Sequence, residues 1–240
     1  MVSCCASESE GQNRVQDMQR LVLFDLDNTL VDRQETLTGW AAEFTARYGL
    51  GDEEQAYILD MVAERAYPST FDAICTRYRL ATSTDELWRT YCADIAASVS
   101  CPGEVLDGLE ELRAAGWRVG VATNGAVDIQ RAKLRATGIS ERVDGLFVSE
   151  EADARKPQTR HFALAAARCG TVLGDGGWMV GDNPVNDISG GRSAGLHTIW
   201  ICNGRSWPPD DPGPDHVAPH ARAAIDLLLL HSADYTRTTT

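Results

Sequence analysis

Residues 20–32 read RLVLFDLDNTLVD, an apolar run from Leu21 to Phe24 that ends abruptly in Asp25-Leu26-Asp27-Asn28-Thr29. Four consecutive apolar residues stopped by a polar turn predict a strand buried on both faces, as in a parallel sheet. Asp25 and Asp27 then fall where open α/β sheets hold ligands, just beyond the carboxyl end of a strand.

Outward from this stretch the pattern changes twice. From about residue 33 to 100 it is helical: Leu37, Trp40, Phe44 and Tyr48 recur at helical spacing, and Gly49 and Gly51 are C-cap signals. Beyond Cys101-Pro102-Gly103, helices and strands alternate. Strands are expected at 117–122, 145–148, 178–180 and 198–201, with a short one near His216-Val217. Helices are expected at 105–116, 129–137, 159–169, 184–194 and 221–230. Such alternation predicts an α/β fold, a Rossmann-like, doubly wound parallel sheet core with an all-helical cap domain inserted after the first strand. The division is a flexible tail at 1–19, the core at 20–32 and 101–231, the cap at 33–100 and a flexible tail at 232–240.

With 240 residues the chain can bury a core and carry an insert. The formal net charge of −13, with no cluster of Lys and Arg, argues against nucleic acid polymers and anionic membranes as partners. A small anionic substrate needs only local positive charge. Just two lysines occur, Lys133 and Lys156, and Lys133 is expected on a helix away from the strand ends. The seven cysteines show neither a CxxC pair nor Cys/His metal spacing, which fits free thiols in a reducing cytoplasm. The first residues lack the apolar core of a signal peptide, and no apolar run nears ~18 residues, the length of a membrane span. No oligomeric state can be read.

The polar clusters all fall beyond the ends of the first four predicted strands. Asp25 and Asp27 follow the first, Thr123-Asn124-Gly125 the second, and Gly181-Asp182-Asn183-Pro184 the fourth; Lys156-Pro157 comes shortly after the third. Singly, each is an ordinary turn or cap. Jointly they place three carboxylates on one sheet edge, a set of hard oxygen donors suited to Mg²⁺. Thr123 adds a hydroxyl, Gly125 lets backbone N–H groups approach an anion, and Lys156 supplies a point charge. Asp187, on the first turn of the helix after Asp182, is placed to orient Lys156 or a metal-bound water.

In this order the clusters resemble the four motifs of the haloacid dehalogenase superfamily: Asp25-Leu26-Asp27-Asn28-Thr29-Leu30; Thr123 within Val121-Ala122-Thr123-Asn124-Gly125; Lys156-Pro157; and Gly181-Asp182-Asn183-Pro184-Val185-Asn186-Asp187. The resemblance runs from about residue 20 to 231, and the insert resembles the helical cap of the family's first cap class. It implies a phosphatase working through an aspartyl-phosphate. Asp25 would be nucleophile and Mg²⁺ ligand. Asp27 would act as acid and then base, giving its backbone carbonyl to the metal. Thr123, Asn124 and Lys156 would bind the phosphoryl group, Asp182 would ligate Mg²⁺, and Asp187 would support both. The substrate class implied is a small phosphorylated metabolite, such as a sugar phosphate, phosphoglycolate or a nucleoside monophosphate. Arg33, Arg65 and Arg77 are candidate contacts to the leaving group, with solvated helix positions the plainer expectation for each. Three other outcomes resemble the family equally in fold: a phosphomutase, a dehalogenase-type hydrolase, and a non-catalytic regulatory binding module. The founding dehalogenases lack the second aspartate of the first motif, so Asp27 argues against that activity.

Overall fold

The structure, a computed structural model, describes residues 20–208 and 212–237, with side chains through His231. The tail read at 1–19 lies outside the described residues, as do 238–240 of the C-terminal one.

Six parallel strands form one sheet: β1 (Leu21–Phe24), β2 (Arg118–Thr123), β3 (Gly145–Val148), β4 (Trp178–Gly181), β5 (His197–Ile201) and β6 (His216–Ala218). Their order is β3-β2-β1-β4-β5-β6. The chain therefore winds outward from β1 in one direction and then in the other. The ligand crevice of such a sheet lies where the winding reverses, beside β1 and β4. All four residues of β1 are buried, as the uninterrupted apolar run requires. Its odd and even residues feed different layers: Val22 and Phe24 pack with Leu109, Leu112, Val119, Ile225 and Leu228, while Leu21 and Leu23 pack with Phe147, Phe162, Met179 and Leu196.

Four helices fill the segment between β1 and the core helix α5 (Gly103–Ala114): α1 (Arg33–Tyr48), α2 (Asp52–Ala63), α3 (Pro68–Tyr78) and α4 (Thr84–Ser98). No strand occurs between residues 33 and 100. Asp32 caps α1 by accepting from the Glu35 N–H, and Gly49 ends it in the left-handed region at φ 67°. The aromatic stripe is packing: Trp40, Phe44, Phe71, Trp88 and Tyr91 share a cluster of their own. That cluster includes Ala126 and Ile129, at the start of α6 (Val127–Ala136), so the insert rests on the carboxyl edge of the sheet.

Beyond β3 come α7 (Thr159–Arg168), α8 (Gly190–Ser193) and α9 (Ala221–Arg237). Two elements depart from the sequence reading by more than two residues or in kind. The helix expected at 184–194 opens instead as a π-helical turn, Pro184–Ser189, before α8. The Asn183 side chain accepts from the N–H groups of Val185 and Asn186, and its carbonyl takes both Asp187 and Ile188, which widens the turn. Likewise α9 runs past residue 230 to Arg237.

Glycine close approaches give a paired stability test. A Cβ on Gly145 would stand 2.5 Å from the Arg168 carbonyl carbon, whereas one on Gly39, within α1, meets nothing within 4 Å. Gly145→Ala should lose about 1–3 kcal/mol by overpacking. Gly39→Ala should gain up to about 1 kcal/mol of helix propensity. Urea unfolding of the two variants checks both signs.

Candidate active site

The Asp25 N–H donates to Val180 O at 2.9 Å, so the residue that ends β1 is fixed against β4. Its side chain meets Lys156, whose Nζ lies 2.6 Å from Asp25 Oδ1 and 2.7 Å from Asp187 Oδ1. Asp25, Asp182 and Asp187 each offer a carboxylate oxygen within 4.8 Å of the others, and all three are buried. The π-helical turn explains how Asp187 joins from a helix. It swings the carboxylate back so that Oδ2 accepts from the Asn183 N–H at 2.9 Å. Only glycine fits beneath it, because a Cβ at Gly181 would lie 2.3 Å from that oxygen.

The loop bearing Lys156 is held on two sides. Asn124 donates from Nδ2 to Lys156 O at 3.1 Å and accepts the Lys156 N–H on Oδ1 at 2.9 Å. Its side chain is thus committed to positioning the lysine. Below, His161 Nδ1 lies 2.8 Å from Ala154 O. Burial, reinforced by the Lys156 charge, pushes this imidazole down to about 3, so it is neutral and Nδ1 carries the donated proton.

Asp27 faces elsewhere. Lys133 Nζ is 2.7 Å from Asp27 Oδ1, Gln130 Nε2 is 3.0 Å from Oδ2, and Arg33 Nε is 3.8 Å from Oδ2. This corrects the expectation for Lys133, whose side chain is 4% exposed. Helical side chains lean toward the helix N-terminus, so a long stem in the second turn of α6 reaches the strand ends. Arg33 is not a solvated helix residue either, since its guanidinium donates to Val62 O and Ala63 O at the end of α2. Arg65 lines the cleft, while Arg77 lies on the outer surface over the Tyr57 ring. Gln130 also donates to Thr123 Oγ1 at 2.7 Å, tying the second strand end to the first. Gln130 and Lys133 were legible as polar residues three apart on the buried face of α6, a signal the motif reading passed over. Arg205, also unanticipated, sits 3.0 Å from Asp182 Oδ2 and 2.9 Å from its carbonyl.

The two aspartates of the first motif therefore sit in opposite fields. Burial raises Asp25 to about 7; Lys156 opposes the rise, and Asp187 and Asp27 add to it. Burial also resists ionisation of Asp27, but Lys133 and Arg33 outweigh it and hold that carboxyl below the usual range. Asp182 is raised to about 6 by burial and by Asp25, against Arg205. Burial disfavours the Lys156 charge, yet Asp187 and Asp25 push it up to about 12.

The family model for haloacid dehalogenase-like hydrolases matches residues 22–201. The chain belongs to the haloacid dehalogenase-like hydrolases. Among members of this family it is 30% identical over 191 residues to the phosphoglycolate phosphatase of Caulobacter vibrioides, covering 76% of this chain and 79% of that one. It is 26% identical over 226 residues to the N-acetylmuramic acid 6-phosphate phosphatase of Pseudomonas aeruginosa, covering 87% and 94%. With the phosphoserine phosphatase of Thermus thermophilus, identity is 36% over 104 residues, 43% of this chain and 41% of that one. Matches to two further relatives span 51% and 58% of their lengths. A solved haloacid dehalogenase-family phosphatase from Thermococcus onnurineus shares the fold with a TM-score of 0.65 at 23% identity, covering 88% of this chain and 98% of that one.

In this haloacid dehalogenase-like hydrolase, the Asp25, Asp182 and Asp187 carboxylates fit a divalent cation. They are oxygen donors gathered at one point, with Lys156 and Arg205 as the neighbouring cations. The side chain of Asp27 is turned away from this group toward Lys133 and Arg33.

Without metal, carboxyls raised to about 7 and about 6 stabilise the fold fully only below their unfolded value of 3.8. That contribution is lost as pH climbs through the folded values, where like charges accumulate. A divalent cation held by these carboxylates would replace the missing protons, so its effect should grow with pH. In thermal scans of chelated protein, the Tm gain on adding Mg²⁺ should be larger at pH 8 than at pH 5.5. An equal gain at both would contradict the assignment.

Proposed function

We propose that this chain is a Mg²⁺-dependent phosphomonoester hydrolase that acts on a small phosphorylated metabolite through an aspartyl-phosphate on Asp25. The observation that carries the reading is the contrast between Asp25, set among carboxylates and Lys156, and Asp27, set between Lys133 and Arg33. One is a nucleophile waiting for an anion to be neutralised; the other is a carboxylate kept ionised to take a proton.

Asp25 attacks phosphorus and the bond to the leaving oxygen breaks. Lys156, beside Asp25, stabilises charge on the phosphoryl oxygens, and Thr123 offers its hydroxyl to them. Asp25, Asp182 and the Asp27 carbonyl would hold Mg²⁺, with Asp187 in support, and the ion would add to the neutralisation of the transferring group. Asp27, which must first take up a proton from solvent, gives it to the leaving oxygen and, ionised again, takes one from the water that hydrolyses the acyl phosphate. Because Lys133 and Arg33 favour the ionised form, the water-activating step is the one this environment assists.

The cleft over these residues has a volume of about 230 Å³, and Arg33, Ala63, Glu64 and Arg65 of the insert line it. A space of that size under a helical cap suits small esters. The curated names of relatives, phosphoglycolate and N-acetylmuramic acid 6-phosphate phosphatases, point to the same class. Among the described residues no helix is long and apolar enough to cross a membrane, and Cys75, Cys92, Cys101, Cys169 and Cys202 are free thiols. Both support the cytoplasmic placement that is part of this proposal.

The two lysines separate by assay. Lys156→Met should cost at least about 10²-fold in turnover of nitrophenyl phosphate, the scale of one lost transition-state partner. Lys133→Met should leave more activity. It should also move the acidic limb of the rate profile to higher pH, because the cation that lowers Asp27 is gone and the base must still be ionised. Unchanged profiles would remove Lys133 from the proton chemistry.

The mechanism is tested by trapping. In Asp27→Asn the nucleophile and the backbone carbonyl remain, and a nitrophenolate leaves without a proton. A phosphoryl adduct should accumulate on Asp25, visible by intact mass and absent in Asp25→Asn. An adduct mapped to any other side chain would sink the assignment.

A further inference from the structure

At the edge of the sheet opposite the catalytic residues, three histidines surround one indole. Trp178 opens β4, His197 opens β5 and His216 opens β6. The register pairs Trp178 with His197 and Ile199 with His216, so the three side chains leave the same face of the sheet. His231 comes to them from α9. The ring of Trp178 lies 4.9 Å from that of His197, 5.6 Å from His216 and 5.3 Å from His231.

The last two histidines converge. Their ring centroids are 5.3 Å apart and their Nε2 atoms 3.4 Å apart. Hydrogen bonds from N–H donors run about 2.7–3.2 Å, so this pair is long for one. Two imidazole nitrogens each ~2.0–2.1 Å from one tetrahedral ion stand about 3.3–3.4 Å apart, which is the separation found. On a square-planar ion they would stand about 2.9–3.0 Å apart.

We propose that His216 and His231 form a binding site for Zn²⁺, with solvent in the remaining coordination positions. Neither histidine contacts the catalytic cluster. His197 shares the indole but is turned to Asp215, 3.9 Å from Nδ1, and Asp215 itself is taken up by the Thr198 N–H and hydroxyl. His231 is exposed and His216 half-buried, so an ion can exchange with solvent. The chain would then sort cations by donor type: imidazole at one end of the sheet takes a borderline-soft ion, and carboxylates at the other take a hard one. A bound ion would also clamp α9 to β6, the three-residue edge strand.

The test uses the full-length, tag-free chain, stripped of metal and then saturated with Mg²⁺ to occupy the carboxylates. Titration with Zn²⁺ should show a micromolar binding event, and thermal scans should show a raised Tm. His216→Ala, His231→Ala and the double variant should each weaken that event at least tenfold and abolish the Tm shift. His197→Ala should retain both, and none of these four variants should alter phosphatase turnover. Four-coordinate Co²⁺ absorption, lost in the double variant, gives a spectroscopic check. No Zn²⁺ event in the Mg²⁺-saturated wild type, or an event undiminished in the double variant, overturns the proposal.

Discussion

A single buried ammonium holds the catalytic edge together. Lys156 is 2% exposed and lies between Asp25 and Asp187, themselves within 4.8 Å of Asp182. Burying such a group is costly unless its partners are close and well aimed, and removing one partner leaves an uncompensated charge. Much of the surrounding structure reads as a device for aiming. Asn124 grips the backbone of Lys156, His161 supports its loop through Ala154, and the π-helical turn returns Asp187 to the end of β4. Gly181 has no side chain because Asp187 occupies the space.

A second, smaller network governs Asp27. Arg33 stands at the start of the insert, reaches the end of α2 with its guanidinium and lies near Asp27 with its Nε. The insert and the proposed acid–base residue are thereby joined through one side chain. Any movement of α2 relative to the core would alter the field at Asp27.

The strand-end residues were legible in the sequence because a parallel sheet delivers the carboxyl ends of its strands to one edge. Asp25, Thr123, Lys156 and Asp182 needed only the alternation of helix and strand to be placed together. Lys133, Arg33 and Arg205 were not legible in the same way. Periodicity marks Lys133 as a polar residue on the buried face of α6, but the partner each of these cations meets depends on the reach of its side chain and on how helices and loops pack against the edge. The same limit applies to the wide turn at Pro184–Ser189: the sequence marked a cap and a proline, while the turn's pitch is set by the bifurcated carbonyl of Asn183. The π-turn and these three cations all lie around the proposed reacting groups, where local rules yield most readily to tertiary demands.

The topology also sets a clock. Asp25 and Lys156 are separated by 131 residues, and Asp27 and Lys133 by 106. During synthesis Asp25 leaves the ribosome long before Lys156, and until β4 joins the sheet it has no neighbour at Val180 to fix its backbone. An incomplete chain therefore carries ordinary aspartates in place of a reactive pair. Loss of the β1–β4 pairing would part Asp25 from Asp187, so the proposed activity reports on the centre of the sheet and not on its edges.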